Sequence, residues 1–139
     1  MAKRKVKKRD PDLFLIAKIE SQEIELGPSY DVSEEPPYRI GTHIELLGEL
    51  EAPLKGVTAL GVSISELRSP LRESWLKEGM IFAVKPVVRV SLWVDRRGMD
   101  HLVALATARR LTDVHLWTKV PRYGKAQLIN WSLRTAPDE

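Results

Sequence analysis

Alternation of apolar and polar side chains from residue 40 to residue 51 constrains the fold of this chain most. One set is almost wholly apolar: Ile40, Thr42, Ile44, Leu46, Gly48 and Leu50. The other set is mostly polar or acidic: Gly41, His43, Glu45, Leu47, Glu49 and Glu51. Successive side chains of a strand point to opposite faces of a sheet. The pattern therefore predicts an antiparallel strand with one buried face and one solvent face.

The same period of two recurs along the chain and predicts a mostly β structure. The apolar run Leu13–Ile19, followed by Ile24 and Leu26, predicts one bent strand or two short ones. A break is expected at residues 27–30, where glycine and proline interrupt the pattern. Loops or turns are expected over 31–37, 52–56 and 121–124, and further strands over 57–64, 114–120 and 125–133.

The longest apolar alternation runs from Met80 to Val94 and predicts one strand. Pro86 has no backbone N–H, so this strand lies at a sheet edge or bulges there. Residues 95–98 (Asp-Arg-Arg-Gly) predict a hairpin loop, which favours a returning strand over 101–110. A helix over 101–110 remains the alternative, because the segment is rich in Ala and Leu and Asp100 can cap it.

A short helix is predicted near residues 70–78. Ser69 and Pro70 are typical of a helix start, and Gly79 is typical of a helix end. Between them, Trp75 and its neighbours Leu71 and Leu76 recur at helical spacing.

About seven strands and one helix near 70–78 predict an all-β fold, either a sandwich or a partly open barrel in a single domain. An α+β fold with a second helix near 101–110 is the alternative. The length of 139 residues suits one domain with a substantial core. We expect a basic disordered arm over 1–10, a β-rich domain over 11–135 and a short tail over 136–139.

The composition excludes several classes of protein. The chain has no cysteine, which excludes a disulfide scaffold, a zinc-thiolate site and a cysteine nucleophile. No apolar run approaches the roughly 20 residues that span a bilayer, and the apolar stretch after the basic start is too short for a signal peptide. These features predict a cytoplasmic protein without a membrane partner.

Charge is distributed unevenly along the chain. Residues 1–9 hold six basic side chains and no acidic one, and we call this set the basic arm: Lys3, Arg4, Lys5, Lys7, Lys8 and Arg9. Residues 10–51 carry a net charge of −9 and residues 52–139 carry +6. Acidic and basic strands either interleave into a mixed surface, or they form a two-faced molecule that attracts a polyanion or a second copy of itself.

Sequence motifs for catalysis are missing. The chain has no phosphate-binding glycine loop, no Gly-x-Ser-x-Gly and no His-Glu-x-x-His. His43, His101 and His115 lie on different predicted elements, so neither a metal nor another cofactor is expected. Asp113 and His115 share a strand face, where the carboxylate could orient the imidazole as a general base. A surface ion pair is the simpler interpretation. The glutamates of the 40–51 strand are interpreted as its solvent face.

Cations and indole rings share strand faces in the second half of the chain. Single-stranded nucleic acid is held by that combination, because Lys and Arg bind phosphates while flat rings stack on bases. The residues of this hypothesis are Lys85, Arg89, Trp93, Arg96, Arg97, Trp117, Lys119, Lys125 and Trp131, extended by the basic arm. The leading functional prediction is thus a non-catalytic module that binds single-stranded nucleic acid.

Two other interpretations remain open. The tryptophans can belong to the core, with neighbouring cations at its rim. The charged faces or an unpaired sheet edge can bind protein, which makes this chain either an oligomer that pairs with itself or an adaptor that binds other proteins.

Overall fold

The computed structural model describes residues 12–30, 38–66 and 79–136. These residues form seven strands and one helix: β1 (Leu13–Tyr30), β2 (Tyr38–Leu54), β3 (Val57–Glu66), β4 (Met80–Ala83), β5 (Val88–Val94), α1 (Arg96–Thr107), β6 (Leu111–Thr118) and β7 (Ala126–Thr135). The predicted all-β class is confirmed. The predicted helix near 70–78 with Trp75, the loop over 31–37 and the basic arm lie outside the described residues.

The seven strands close into a barrel in the order β1-β2-β3-β5-β4-β7-β6. All neighbouring pairs are antiparallel except β3 and β5, which run parallel. Closure depends on the pairing of β6 with β1, which joins the last third of the chain to its first strand. A closed barrel leaves no continuous exposed sheet edge where its strands overlap.

Alternation sorts the side chains of each strand between the barrel interior and the outer wall. In β2, Ile44, Leu46 and Leu50 are buried, as the pattern predicts, while Glu49 on the opposite face is exposed. The fully buried side chains of β3, β5 and β6 meet them in a single core, which includes Val62, Ile64, Val90, Leu92 and Leu116. The interior is therefore filled by aliphatic side chains.

β1 is one continuous strand, so the predicted break at residues 27–30 is wrong. Its pairing with β2 shifts register between Ile19 and Ser21, which marks a β-bulge. Gly48 lies opposite this irregularity, and a Cβ at that position would overlap the carbonyl oxygen of Lys18. The close approach of the two backbones here requires glycine.

The single long strand predicted over Met80–Val94 is wrong. The chain reverses at residues 84–87, where Lys85-Pro86 is a cis peptide bond, and β4 and β5 pair as a hairpin. The reversal also changes which side chains face inward. Ile81 is buried in β4, whereas Val88 and Val90 are buried in β5.

The segment over 101–110 is predicted as a returning strand, but residues 101–107 belong to helix α1 and residues 108–110 form the turn after it. The Asp95 side chain accepts a hydrogen bond from the Gly98 N–H at 2.7 Å, which is an N-cap rather than a hairpin turn. The helix residues that pack on the core recur at helical spacing, and they are Met99, Leu102, Val103, Leu105 and Ala106. Alanine and valine are compatible with the two-residue period of a strand and with the 3.6-residue period of a helix. The cap and the spacing of the buried residues therefore distinguish the helix from the strand.

The end of α1 is also well defined. The Arg110 N–H donates to the Leu105 carbonyl at 2.9 Å, and the Arg109 N–H donates to the Ala106 carbonyl at 3.0 Å. These are the two bonds of a Schellman motif, with Arg109 in the left-handed region at φ 53°. The helix therefore ends at Thr107, and β6 begins three residues after this turn opens, at Leu111.

Two tight turns lie where the sequence predicts them. Lys55 and Gly56 between β2 and β3 have φ values of 49° and 81°. Tyr123 and Gly124 between β6 and β7 have φ values of 55° and 76°, and Arg122 bridges to Lys125. Positive φ at both central residues is typical of the two-residue hairpin turn that matches strand twist.

Candidate functional site

An open groove lies on the outer wall of the barrel where β1, β6 and β7 run side by side. Phe14 of β1 pairs in register with Trp117 of β6, and Ile16 pairs with His115. The ring centroids of Phe14 and Trp117 are 4.9 Å apart, and those of Phe14 and His115 are 5.5 Å apart in an edge-on arrangement. Phe14 and Trp117 are 47% and 48% exposed, so about half of each side chain faces solvent.

Polar side chains of β7 form the other side of the groove. Asn130 pairs with Trp117, Ser132 pairs with His115, and Arg134 pairs with Asp113. The groove encloses a volume of about 200 Å³, and the residues that line it are Phe14, His115, Trp117, Asn130, Trp131, Ser132 and Arg134. Its surface thus combines flat rings with amide, hydroxyl and guanidinium donors.

A bulge in β7 decides which side chains reach this groove. The pairing of β6 with β7 shifts between Trp117 and Thr118, so that Ile129 is an extra residue. One inserted residue reverses the alternation beyond it. Asn130 and Ser132 therefore face outward, whereas Trp131 is half-buried and packs against the core.

Charges surround the groove in mixed order. Lys18, Asp113 and Arg134 occupy neighbouring positions on β1, β6 and β7. Lys119 Nζ lies 3.0 Å from Asp12 Oδ1 in a solvent-exposed ion pair. Among these described groups the basic charges slightly outnumber the acidic ones.

The residues of the cation-and-indole hypothesis do not form one strip. Arg89 and Trp93 lie on the outer wall of β5, beside β3. Trp117 lies on β6, and β4 and β7 separate β5 from β6 in the barrel. The two sets occupy different sides of the molecule because strands close in sequence are not neighbours in this barrel.

The remaining predicted residues are scattered. Lys85 lies in the reversal between β4 and β5, and Lys125 lies at the β6–β7 turn. Arg96 and Arg97 are exposed in the first turn of α1 rather than at a hairpin tip. Trp131, predicted to share a face with Lys125, turns inward because of the β7 bulge. Of the predicted residues that the structure describes, the exposed Trp117 and the half-buried Trp131 line the groove.

Phe14, Asn130, Ser132 and Arg134 are groove residues that the sequence interpretation missed. Phe14 sits in a continuous apolar run from Leu13 to Ala17, where alternation gives no indication of which side chains face outward. The three β7 residues are shifted by a bulge that leaves no clear sequence signal.

A second polar cluster lies on the outer wall of β2 and β3. We call it the His43 cluster, and it consists of His43, Glu45, Ser63 and Ser65. His43 Nδ1 lies 3.1 Å from Ser65 Oγ, and His43 Nε2 lies 2.5 Å from Glu45 Oε1. Ser63 Oγ donates to the same Glu45 oxygen at 2.7 Å. The interpretation of Glu45 as a plain solvent-facing residue is therefore incomplete, because only the β2–β3 register brings the two serines to it.

The described residues offer neither a metal cluster nor a membrane-spanning helix. Within residues 12–30, 38–66 and 79–136, no three His, Asp or Glu side chains are grouped so that they can hold a metal ion. No helix in these same ranges is long and apolar enough to cross a bilayer.

Fold and surface together define this chain as a small closed β-barrel with an open aromatic groove on its outer wall. Comparison with protein-family models, with curated proteins and with solved structures gave no match.

Proposed function

We propose that this protein is a binding module for single-stranded nucleic acid, with bases stacked in the groove between β1, β6 and β7. The observation that carries the proposal is the adjacent pair of half-exposed rings, Phe14 and Trp117. Stacking of one base on an aromatic side chain contributes about 1–3 kcal/mol and tolerates any base, since every base has a flat face.

The size and chemistry of the groove favour a polymer over an enclosed small ligand. Its volume of about 200 Å³ is below the roughly 300–1,000 Å³ of pockets that enclose a drug-sized molecule. The planes of the two rings are tilted by 50°, so a flat base stacks on one ring at a time and needs no enclosure. The Asn130 amide and the Ser132 hydroxyl can meet base edges, and Arg134 can meet a phosphate.

The basic arm is joined to β1 by a short length of chain. The Cα atoms of Arg9 and Phe14 are separated by five residue steps, hence by at most about 18 Å, because one residue spans no more than about 3.6 Å. A cation on so short a tether can reach a phosphate of a strand that is stacked on the rings, and the other five add to the attraction that single-strand binding needs.

The test is the binding of a labelled single-stranded oligonucleotide of about ten nucleotides, followed by fluorescence anisotropy and tryptophan quenching at low salt. Phe14→Ala and Trp117→Ala should each weaken binding by roughly 5- to 150-fold, the equivalent of one stacked base. Tyr123→Ala is the matched control, because Tyr123 is a fully exposed aromatic side chain outside the groove. An affinity that is unchanged in both groove variants, or the absence of salt-dependent binding, contradicts the proposal.

A second candidate function is binding to another copy of this chain. Among the described residues, β1 beyond Ile19 pairs with β2 alone, which leaves a strand edge for another strand to join. This edge carries an exposed Leu26 and the acidic side chains Glu20, Glu23 and Glu25, which complement the basic arm of a second copy. Light scattering over a range of protein and salt concentrations tests it. A monomer under all conditions rejects this candidate and leaves the groove unaffected.

A further inference from the structure

The His43 cluster lies apart from the groove and has a chemistry of its own. His43 and Ser65 are directly opposite in the β2–β3 register, as are Glu45 and Ser63. All four side chains point to the outer wall, and those of His43 and Glu45 are each 32% exposed. A molecule arriving from solvent can therefore reach them.

The hydrogen bonds of this cluster fix which nitrogen of His43 holds the proton. A carboxylate only accepts hydrogen bonds, so the Glu45 oxygen at 2.5 Å requires a proton on His43 Nε2. In the neutral ring, Nδ1 is then an acceptor, and the Ser65 hydroxyl at 3.1 Å donates to it. The order of the chain is Ser65 to His43 to Glu45.

This order is that of an activated nucleophile. A hydroxyl within hydrogen-bond reach of a histidine, whose ring is oriented by a third group, is the arrangement that supports nucleophilic catalysis. Ser63 donates to Glu45 at 2.7 Å and so holds the carboxylate in place. Trp93 of β5 is in register with Ser65 and lies along one side of the cluster.

We propose that Ser65 is the nucleophile of an acyl-transfer site that acts on activated carboxylic esters. Ser65 Oγ attacks the ester carbonyl carbon while its proton passes to His43 Nδ1. The bond to the leaving oxygen breaks, that oxygen takes the proton from Nδ1, and an acyl ester of Ser65 forms. Water then attacks this ester with His43 Nδ1 as the base, which releases the carboxylic acid and restores Ser65.

Aryl esters are the substrate class that suits this site best. Their leaving group departs readily, so the nucleophile and the base are the groups that matter most. Glu45 and Ser63 are positioning residues, because they act through the orientation of His43 and do not touch the substrate.

The first experiment uses the full chain with a fluorophosphonate probe, peptide mapping by mass spectrometry and the hydrolysis of p-nitrophenyl acetate. We expect the label on Ser65 and a loss of hydrolysis of about 100-fold or more in Ser65→Ala and His43→Gln, the usual contribution of a general base. Ser91→Ala is the matched control, since Ser91 also faces outward on β5, in register with Ser63. An unlabelled Ser65, or hydrolysis that survives Ser65→Ala, overturns the proposal.

A second experiment uses the absence of cysteine from the sequence. Ser65→Cys and Ser91→Cys each introduce a single thiol, and alkylation by iodoacetamide reports how strongly its neighbours activate it. We expect at least a tenfold faster reaction at position 65, and equal rates would contradict activation by His43.

The positioning role of Glu45 is checked by nitrogen NMR of the His43 ring. Glu45→Ala should shift the protonated form away from Nε2, whereas Ser91→Ala should leave it unchanged.

Discussion

Phe14 and Trp117 stand near opposite ends of the chain, yet their ring centroids lie 4.9 Å apart across the β1–β6 pair. Neither ring is buried like a core residue, and each keeps about half of its surface in solvent. The contact exists because barrel closure pairs the first strand with the sixth.

Each of the two rings should hold the other in position for a stacked base. We expect Phe14→Ala and Trp117→Ala to be non-additive in nucleic-acid affinity, with a coupling energy of about 0.5–1.5 kcal/mol, because removing one ring also frees the other. The measurement is a double-mutant cycle with a single-stranded oligonucleotide. Strict additivity would show that the rings contact the ligand independently or not at all.

Arg134 should contribute to binding where Arg89 does not. Arg134 lines the groove, whereas Arg89 lies on β5 on another side of the barrel. If Arg134 binds a phosphate, Arg134→Gln lowers the slope of log affinity against log salt by about 0.7, the value for one phosphate of a single strand. Arg89→Gln removes the same charge and should leave the slope unchanged. Equal effects of the two variants would indicate general charge attraction instead of a groove.

The basic arm should supply most of the salt dependence. Replacing its six basic residues with serine is expected to reduce the salt slope by up to about 4, since each neutralised phosphate of a single strand contributes about 0.7. The rings remain, so tryptophan quenching should persist at low salt with weaker affinity. Titrations between about 50 and 200 mM salt measure both quantities. An unchanged salt slope would mean that cations of the barrel, and not those of the basic arm, bind the phosphates.

Gly48 should be intolerant of substitution. A Cβ there would overlap the Lys18 carbonyl oxygen, so Gly48→Ala forces the β1 and β2 backbones apart. We expect a loss of about 1–3 kcal/mol in the free energy of unfolding, the usual cost of overpacking, measured by urea denaturation. Gly27→Ala on the same strand pair is the control, because nothing lies within 4 Å of its Cβ position. Similar losses in both variants would argue against this close approach.

Asp95 should stabilise helix α1 through its cap. Asp95→Ala removes the bond to the Gly98 N–H and should lower the free energy of unfolding by about 1 kcal/mol. Asp100→Ala is the control, since Asp100 is exposed within the same helix and alanine is the better helix former. Thermal or urea unfolding distinguishes the two. A stable Asp95→Ala protein would mean that packing of Met99 and its neighbours determines the helix start without the cap.

The tertiary structure corrects the sequence interpretation of residues 80–94 and 101–110 for identifiable reasons. Residues 101–110 alternate like a strand, yet Asp95 caps a helix and the Met99 side of that helix packs on the core. Residues 80–94 alternate like one strand, yet the chain reverses at Pro86. As a result the odd-numbered Ile81 faces the core before the reversal, and the even-numbered Val88 and Val90 face it afterwards. Short segments rich in alanine and valine fit both periods, so local pattern alone cannot choose between them.

The sequence by itself determined the all-β class, the inward side chains of β2 and the turns at Gly56 and Gly124. Each of these depends on local chemistry, namely the two-residue period of a strand and the tolerance of glycine for positive φ. Only the tertiary structure decided that Phe14 meets Trp117, that Trp131 turns inward and that Ser65 meets His43. Those contacts depend on strand order, register and a one-residue bulge, which couple residues far apart in the chain and leave no local pattern.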